Sequence, residues 1–425
     1  MPPAPLSRFR LIPIVAGQAI GLACGVIGVR LNSHLIPPAA LGVYGVFLTF
    51  VPIGMWVVHA GLIKYAGRHW AAAESRPAML RALAGAWARR VPWLWAGAAI
   101  AGLALIQLDP MPRLGLGLAL AIAAPALALA TLGQTLLQAE RAHWRDCAVT
   151  ASGSLSRTFV PPLAYVATGG ALGALWSGFA LHALIFAAVA AWSLRTYWCN
   201  PASAAPSPGI SAVYEGPMFL LLAGASWILA GLNRWLVAWQ FGTVDAGYFT
   251  LAGGAAIIAP TMLGTVLLQY FQPGFFALGD GGPATHRPLA ARIERVAALY
   301  AAAALAIVVA TYLVAPWLVG PLISRAYAPS LHWFLSAGCF AVATTTGVFF
   351  HTLLLAGRRE PACAPVDLAT ASVLVGGCVS TALAGEVWFE RWLYLTPLVQ
   401  WVLTRPLARH FLFRPVAGGA PAPVR

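Results

Sequence analysis

Apolar stretches of about 20 residues, each ended by a short polar or charged cluster, recur along the whole chain. A helix rises 1.5 Å per residue, so about 20 apolar residues cross a hydrocarbon layer of roughly 30 Å. Measured by that length, the pattern predicts spans near 11–31, 41–64, 91–108, 115–137, 147–167 and 171–193. A polar, Pro- and Ser-containing stretch from Cys199 to Pro208 then breaks the pattern and reads as a linker. The second set is expected near 216–238, 247–271, 295–317, 331–356, 365–385 and 391–411. The first ten residues read as a short basic cap on a retained first helix, since no small-residue cleavage site follows them.

Composition explains why the pattern has to be read this way. Only 9% of residues are charged and 60% are hydrophobic, against about 25% charged in soluble domains. A soluble chain of this length has too little interior to hide that much apolar surface. The net charge of +14 would suggest nucleic acid in a soluble protein. In a bilayer it reflects topology, because Lys and Arg collect on cytoplasmic loops.

The charges test the span count independently. With the N-terminus inside, the inside segments hold 20 of the 26 basic residues. The outside segments hold Arg30, Arg113, Arg234, Arg325 and Arg391, and Arg157 falls within a span. A wrong count would scramble the alternation beyond the error. Both termini are therefore expected in the cytoplasm of a bacterial cell, with the chain multi-pass in the inner membrane.

Segments also recur at long offset. Gln134-Thr-Leu-Leu-Gln-Ala-Glu-Arg141 closes the fourth span and His351-Thr-Leu-Leu-Leu-Ala-Gly-Arg358 the tenth. Asp146 precedes Thr150-Ala-Ser152, and Asp367 precedes Thr370-Ala-Ser372. Arg30 precedes Leu41-Gly-Val-Tyr44, as Arg234 precedes Ala246-Gly-Tyr248. The pairs lie 204 to 221 residues apart in unchanged order. Six spans per copy is an even number, so both copies cross in the same orientation. The expected organisation is an N-terminal six-helix lobe over 1–195, a cytoplasmic linker over 196–212 and a C-terminal six-helix lobe over 213–425.

Two stretches carry a resemblance: Leu41-Gly-Val-Tyr-Gly-Val-Phe47 after a helix bearing Arg30, and Asn233-Arg-Trp-Leu-Val-Ala-Trp-Gln-Phe-Gly242 followed by Ala246-Gly-Tyr248. In these the chain resembles the polysaccharide-exporter branch of the multidrug/oligosaccharidyl-lipid/polysaccharide superfamily, the O-antigen and capsule flippases. The resemblance implies an all-α polytopic membrane protein with 12 transmembrane helices, in two parallel six-helix lobes around a central cavity that opens alternately to the two sides. The family often has an acidic residue beside the second-half arginine. This chain has Asn233 there, which leaves ion coupling at that position open.

Ionisable groups inside a bilayer are costly and mark functional sites. Arg157 lies about ten residues into its span, in the polar run Ser152-Gly-Ser-Leu-Ser-Arg-Thr158, ahead of Pro161-Pro162. It is expected either to face the cavity or to satisfy carbonyls freed by the prolines. Arg30 and Arg234 occupy matching places near the outer ends of their spans, where snorkelling to the headgroups is the competing reading. Arg30, Arg157 and Arg234 are the candidate substrate-binding cations. His59, Lys64 and Asn233 are candidates for ion coupling or headgroup contact; Lys64 also suits a topology anchor, and His182 and His351 rank below His59. Asp367 and Glu215 are expected to cap helix N-termini.

These residues suit a substrate rich in phosphate oxygens, because guanidinium pairs with such oxygens in bidentate fashion and stays charged at cellular pH. The expected function is transfer of a polyprenyl-diphosphate-linked oligosaccharide from the cytoplasmic to the periplasmic leaflet. The alternative is a drug or metabolite exporter of the same superfamily; cationic drugs would favour mid-span carboxylates, which the spans lack. A membrane glycosyltransferase, polymerase or ligase is disfavoured by short outside loops, the longest being about Val319 to Ser330. No phosphate-binding loop, zinc motif or Cys/His cluster occurs, so no catalytic residue, metal or cofactor is expected. The expected partners are the lipid-linked substrate, membrane lipids and polysaccharide assembly proteins, with no nucleic acid.

Overall fold

The computed structural model describes residues 8–70, 73, 75–104, 113–198, 210 and 231–414. The first half folds as α1 (Arg8–Leu35), α2 (Pro38–His69), α3 (Arg76–Ala104), α4 (Arg113–Glu140), α5 (His143–Ala167) and α6 (Leu172–Ser193), with one further turn at Arg195–Trp198. The second half is α7 (231–240), α8 (Thr243–Gly279), α9 (His286–Leu318), α10 (His332–Ala356), α11 (Glu360–Ala384) and α12 (Glu386–Phe413). Each lies on one of the twelve expected spans. Among the described residues, seven helices (α1, α4, α6, α8, α9, α10 and α11) carry stretches long and apolar enough to cross a bilayer by length and composition. The segment expected to link the halves lies mostly outside the described residues.

Several helices outrun their apolar stretches. α8 has 37 residues and α2 has 32, and at 1.5 Å per residue the former extends about 55 Å. The surplus lies at the end that gathers Lys64, Arg68, Arg141 and Arg358, here called the basic end. α11 also starts early. It begins at Glu360, with a proline at its first positions, so Asp367 stands in the second turn and does not cap the helix. Glu215 lies outside the described residues.

The repeat is built into the packing. In the first half α2 packs on α3 and α4, α4 on α3 and α6, and α5 on α6; in the second, α8 packs on α9 and α10, α10 on α9 and α12, and α11 on α12. The matching motifs also end their helices alike. Arg141 and Arg358 both adopt left-handed backbone, with φ of 61° and 57°. In each case two reverse bonds close the last turn: Arg141 N to Gln138 O and Ala142 N to Leu137 O, Arg358 N to Leu355 O and Arg359 N to Leu354 O.

The halves meet where α2 crosses α8. A Cβ on Gly42 would lie 1.9 Å from the carbonyl oxygen of Thr243, and one on Gly247 would lie 2.0 Å from that of Pro38. Only glycine permits this approach on either helix, and the two contacts are images of each other under the repeat. At the basic end, Arg68 of α2 reaches into the second half. It donates to Leu355 O at 2.9 Å and to Glu360 Oε1 at 2.7 Å, with Asp280 Oδ1 at 3.5 Å. At the opposite end, the segment between α9 and α10 clasps the end of α1. There the Tyr327 hydroxyl donates to Ile36 O at 2.8 Å, and Ser324 N donates to Ser33 Oγ at 3.2 Å.

Candidate functional site

α5 is held on two sides by its small polar residues. Ser152 and Ser156 return their hydroxyls to their own helix, at Val149 O and Ser152 O. Gly153 leaves room for the Phe186 ring, and Gly178 lets α6 approach the backbone of Pro161. On the other side, Thr158 Oγ1 donates to Cys24 O of α1 at 3.1 Å. With Ser156 turned to α6 and Thr158 to α1, the intervening Arg157 points to the uncovered face and is exposed. Pro161 and Pro162 lie within the helix, which continues to Ala167.

Around Arg157 stand Tyr44, His182 and Arg234, all within its electrostatic reach. Tyr44 is buried, its ring against Phe47 and Phe179. His182 is buried as well, its Nδ1 at 2.8 Å from Ser156 Oγ and its ring between Phe179 and Phe186. Arg234 comes from the second half. Next to it, Trp235 Nε1 donates to Thr49 Oγ1 of α2 at 2.8 Å, and the Trp235 ring stands edge-on to Phe50 at 4.9 Å. These two contacts dock α7 on α2. Asn233 is buried, and its Oδ1 accepts the backbone N–H of Arg234.

The structure therefore brings together two of the three candidate cations, one from each half. No side-chain hydrogen bond or ion pair joins Arg157 or Arg234 to another described residue, and the charged group acting on Arg234 is Arg157, of the same sign. The nine described carboxylates all lie within nine residues of a helix end. Two guanidinium groups thus lie within electrostatic reach of each other with no counter-charge among the described residues, and a multi-oxygen anion is the chemistry that would satisfy both.

The remaining candidates lie elsewhere. Arg30 is exposed at the opposite end, where its Nη1 donates to Pro321 O in the clasp. Repeat-equivalent to Arg234, it makes a contact between the halves and does not meet the other two. Lys64 sits near the basic end of α2, within reach of Cys363 and Asp367 of α11. The side chain of His59 lies outside the described residues. Sequence reasoning does not single out Tyr44 or Ser156 and ranks His182 low. Their placement near Arg157 arises from three helices meeting, and no linear spacing encodes that.

The arrangement of helices has solved counterparts. The MATE multidrug transporter DinF-BH, solved with a bound ligand, is similar over 95% of this chain and 95% of its own, at TM-score 0.64 and 14% identity. An inward-facing multidrug resistance MATE family transporter of the MOP superfamily matches at TM-score 0.62 and 15% identity, covering 95% of this chain and 98% of that one. An outward-facing form matches at 0.62 and 15%, over 95% and 94%. The chain has a MATE-type fold. These neighbours are multidrug transporters, and none is a polysaccharide exporter. No protein-family profile matches the sequence, and no curated protein matches it.

Proposed function

We propose that this chain is a secondary transporter that exports an anionic amphiphile by alternating access. The observation that carries the reading is the Arg157–Arg234 pair, unmatched by any described carboxylate, between the halves of a MATE-type fold. The multidrug neighbours favour a small drug-like or metabolite cargo. The charge of the cleft favours a negative headgroup over a cationic dye.

A second reading keeps the same site and enlarges the cargo to a polyprenyl-diphosphate-linked oligosaccharide. Two guanidinium groups match a diphosphate, and the tail would stay in the bilayer. The excess of basic residues on alternate loops supports an inner-membrane protein with cytoplasmic termini. In that orientation, moving two negative charges outward from a negative interior is favoured by about 4–5 kcal/mol at 100 mV. Flux from reconstituted vesicles separates the readings. A fluorescent organic anion, a short polyprenyl-diphosphate sugar and a cationic rhodamine dye would be offered in parallel. Movement of the anion alone supports the small-cargo reading, and movement of the diphosphate lipid supports the second. Transport of the cationic dye alone would overturn the anionic assignment.

A further inference from the structure

α9 and α12 both pack on α10, within the second half and away from the crossing of α2 and α8. At the basic end one carboxylate joins them. Glu294 of α9 is buried, and Arg405 of α12 grips its Oε2 with Nε at 3.0 Å and Nη2 at 2.9 Å. The Arg405 guanidinium also lies over the Trp401 ring, 5.9 Å from its centroid, and that ring stands edge-on to Phe350 at 5.3 Å. Arg405 is therefore fixed on two sides. Arg409, one turn further along α12, brings its Nε to 3.0 Å from Glu294 Oε1. This second approach is not aligned as a hydrogen bond, since Oε1 accepts none from a described residue. The N–H groups of Arg409 stay uncommitted among the described residues.

Two arginines against one carboxylate leave one positive charge in excess, and both still reach the surface. Their side chains are 41% and 45% exposed, against 11% for Glu294. The carbonyls at the end of α12 do not take up that excess, because Leu412 O and Arg414 O accept from Arg359. Towards the middle of each helix the exposed surface turns apolar within one turn. On α12, exposed Val402 precedes Arg405 by three residues and exposed Leu398 lies a further turn in; on α9, exposed Leu299 follows exposed Arg295 by four. The Glu294–Arg405 contact sets both changes at one level. α12 has 28 residues, about 42 Å, against a hydrocarbon layer of roughly 30 Å, so its last turns stand among the headgroups.

We propose that Arg405 and Arg409 bind the phosphate of an anionic phospholipid in the leaflet at the basic end, with Glu294 as the residue that positions them. A phosphodiester carries one negative charge and two unesterified oxygens. These match the single excess charge and the uncommitted donors of Arg409 beside the fixed fork of Arg405. Basic pockets between membrane helices hold lipid headgroups in this way. The acyl chains continue along the apolar faces that begin at Val402 and Leu299. A free phosphate gains the same ion pairs but nothing from that apolar surface, and a zwitterionic headgroup brings a cation to a site already in positive excess. The site is separate from Arg157 and Arg234 and does not rest on the transporter reading.

The test reads lipid binding, not transport. The full-length protein in detergent is titrated with phosphatidylglycerol or phosphatidylcholine of the same chains, and native mass spectrometry gives the affinity for the first lipid bound. The wild type should take phosphatidylglycerol about tenfold more tightly, the fold-change expected from one charge-assisted hydrogen bond. Arg409→Gln should abolish that preference. Arg292→Gln should keep it, since Arg292 is exposed at the same end of α9 but two residues from Glu294, on the far side of the helix. Arg405→Lys keeps the counter-charge of Glu294 but loses the fork, and should bind phosphatidylglycerol at least threefold more weakly; it decides the matter if Arg409→Gln does not fold. Equal affinity for the two lipids in the wild type, or unchanged binding in Arg405→Lys or folded Arg409→Gln, would overturn the site. Losses as large in Arg292→Gln would make the preference a diffuse surface charge. Displacement of the bound lipid by millimolar inorganic phosphate would make it a soluble-anion site and overturn the lipid assignment.

Discussion

At the scale of single residues, Arg157 and Arg234 hold no carboxylate among the described residues. Arg68, Arg358, Arg405 and Arg409 each have a carboxylate, whereas Arg157 faces a second cation. A charge kept without a partner contributes little to stability, so Arg157→Ala should shift unfolding by no more than about 0.5 kcal/mol. It should lower the initial rate for the anionic probe by tenfold or more, because a charge-assisted hydrogen bond is worth about 1.5–3 kcal/mol. Arg157→Lys keeps the charge but loses the fork and should fall between the two. Thermal unfolding and vesicle flux on the same preparations check this; a large loss of stability in Arg157→Ala with flux unchanged would make the side chain structural. The sequence exposes Arg157 because it is the basic residue farthest from any span end. It does not expose Tyr44 and Ser156, whose meeting with Arg157 depends on how α2, α5 and α6 rotate against one another.

At the scale of elements, hydrophobic length alone locates the helices, and the limits of that signal are equally physical. The pattern predicts α5 over 147–167, and the helix spans His143–Ala167; it predicts α11 from 365, and the helix begins at Glu360. Polar first turns belong to the helix once it leaves the apolar layer, and hydropathy does not register them. The crossing of α2 and α8 is half legible. Gly42 and Gly247 stand out as repeat-related, but only the structure shows each facing the other half's backbone. Gly42→Leu and Gly247→Leu should each force the helices apart and lower stability by about 1–3 kcal/mol. Gly254→Ala, on the same α8 but with no neighbour within 4 Å of a Cβ, should be neutral or mildly stabilising. Melting temperatures of the three variants in one detergent decide this. Equal losses at Gly42 and Gly254 would count against a close crossing.

At the scale of the whole molecule, the halves are bridged at both ends, by Arg68 at the basic end and by Tyr327 and Ser324 at the other. These bridges join residues nearly 300 positions apart, too far for any periodicity to reveal. By sequence, Arg68 is one topology charge among many. On the transporter reading proposed above, alternating access must break one bridge while keeping the other, so the two should act in opposition. Cys363 reports on the basic end without modification, since it is fully buried in the first turns of α11. Arg68→Ala removes the bridge at that end and should raise the rate at which a soluble maleimide labels Cys363. Tyr327→Phe deletes one hydrogen bond at the far end, worth about 1 kcal/mol, and should lower that rate about fivefold. The double variant should return towards the wild-type rate, because both ends are then weakened. Mass spectrometry of the labelled peptide reads all three, and a Cys363 rate indifferent to Tyr327→Phe would mean that the two ends open independently.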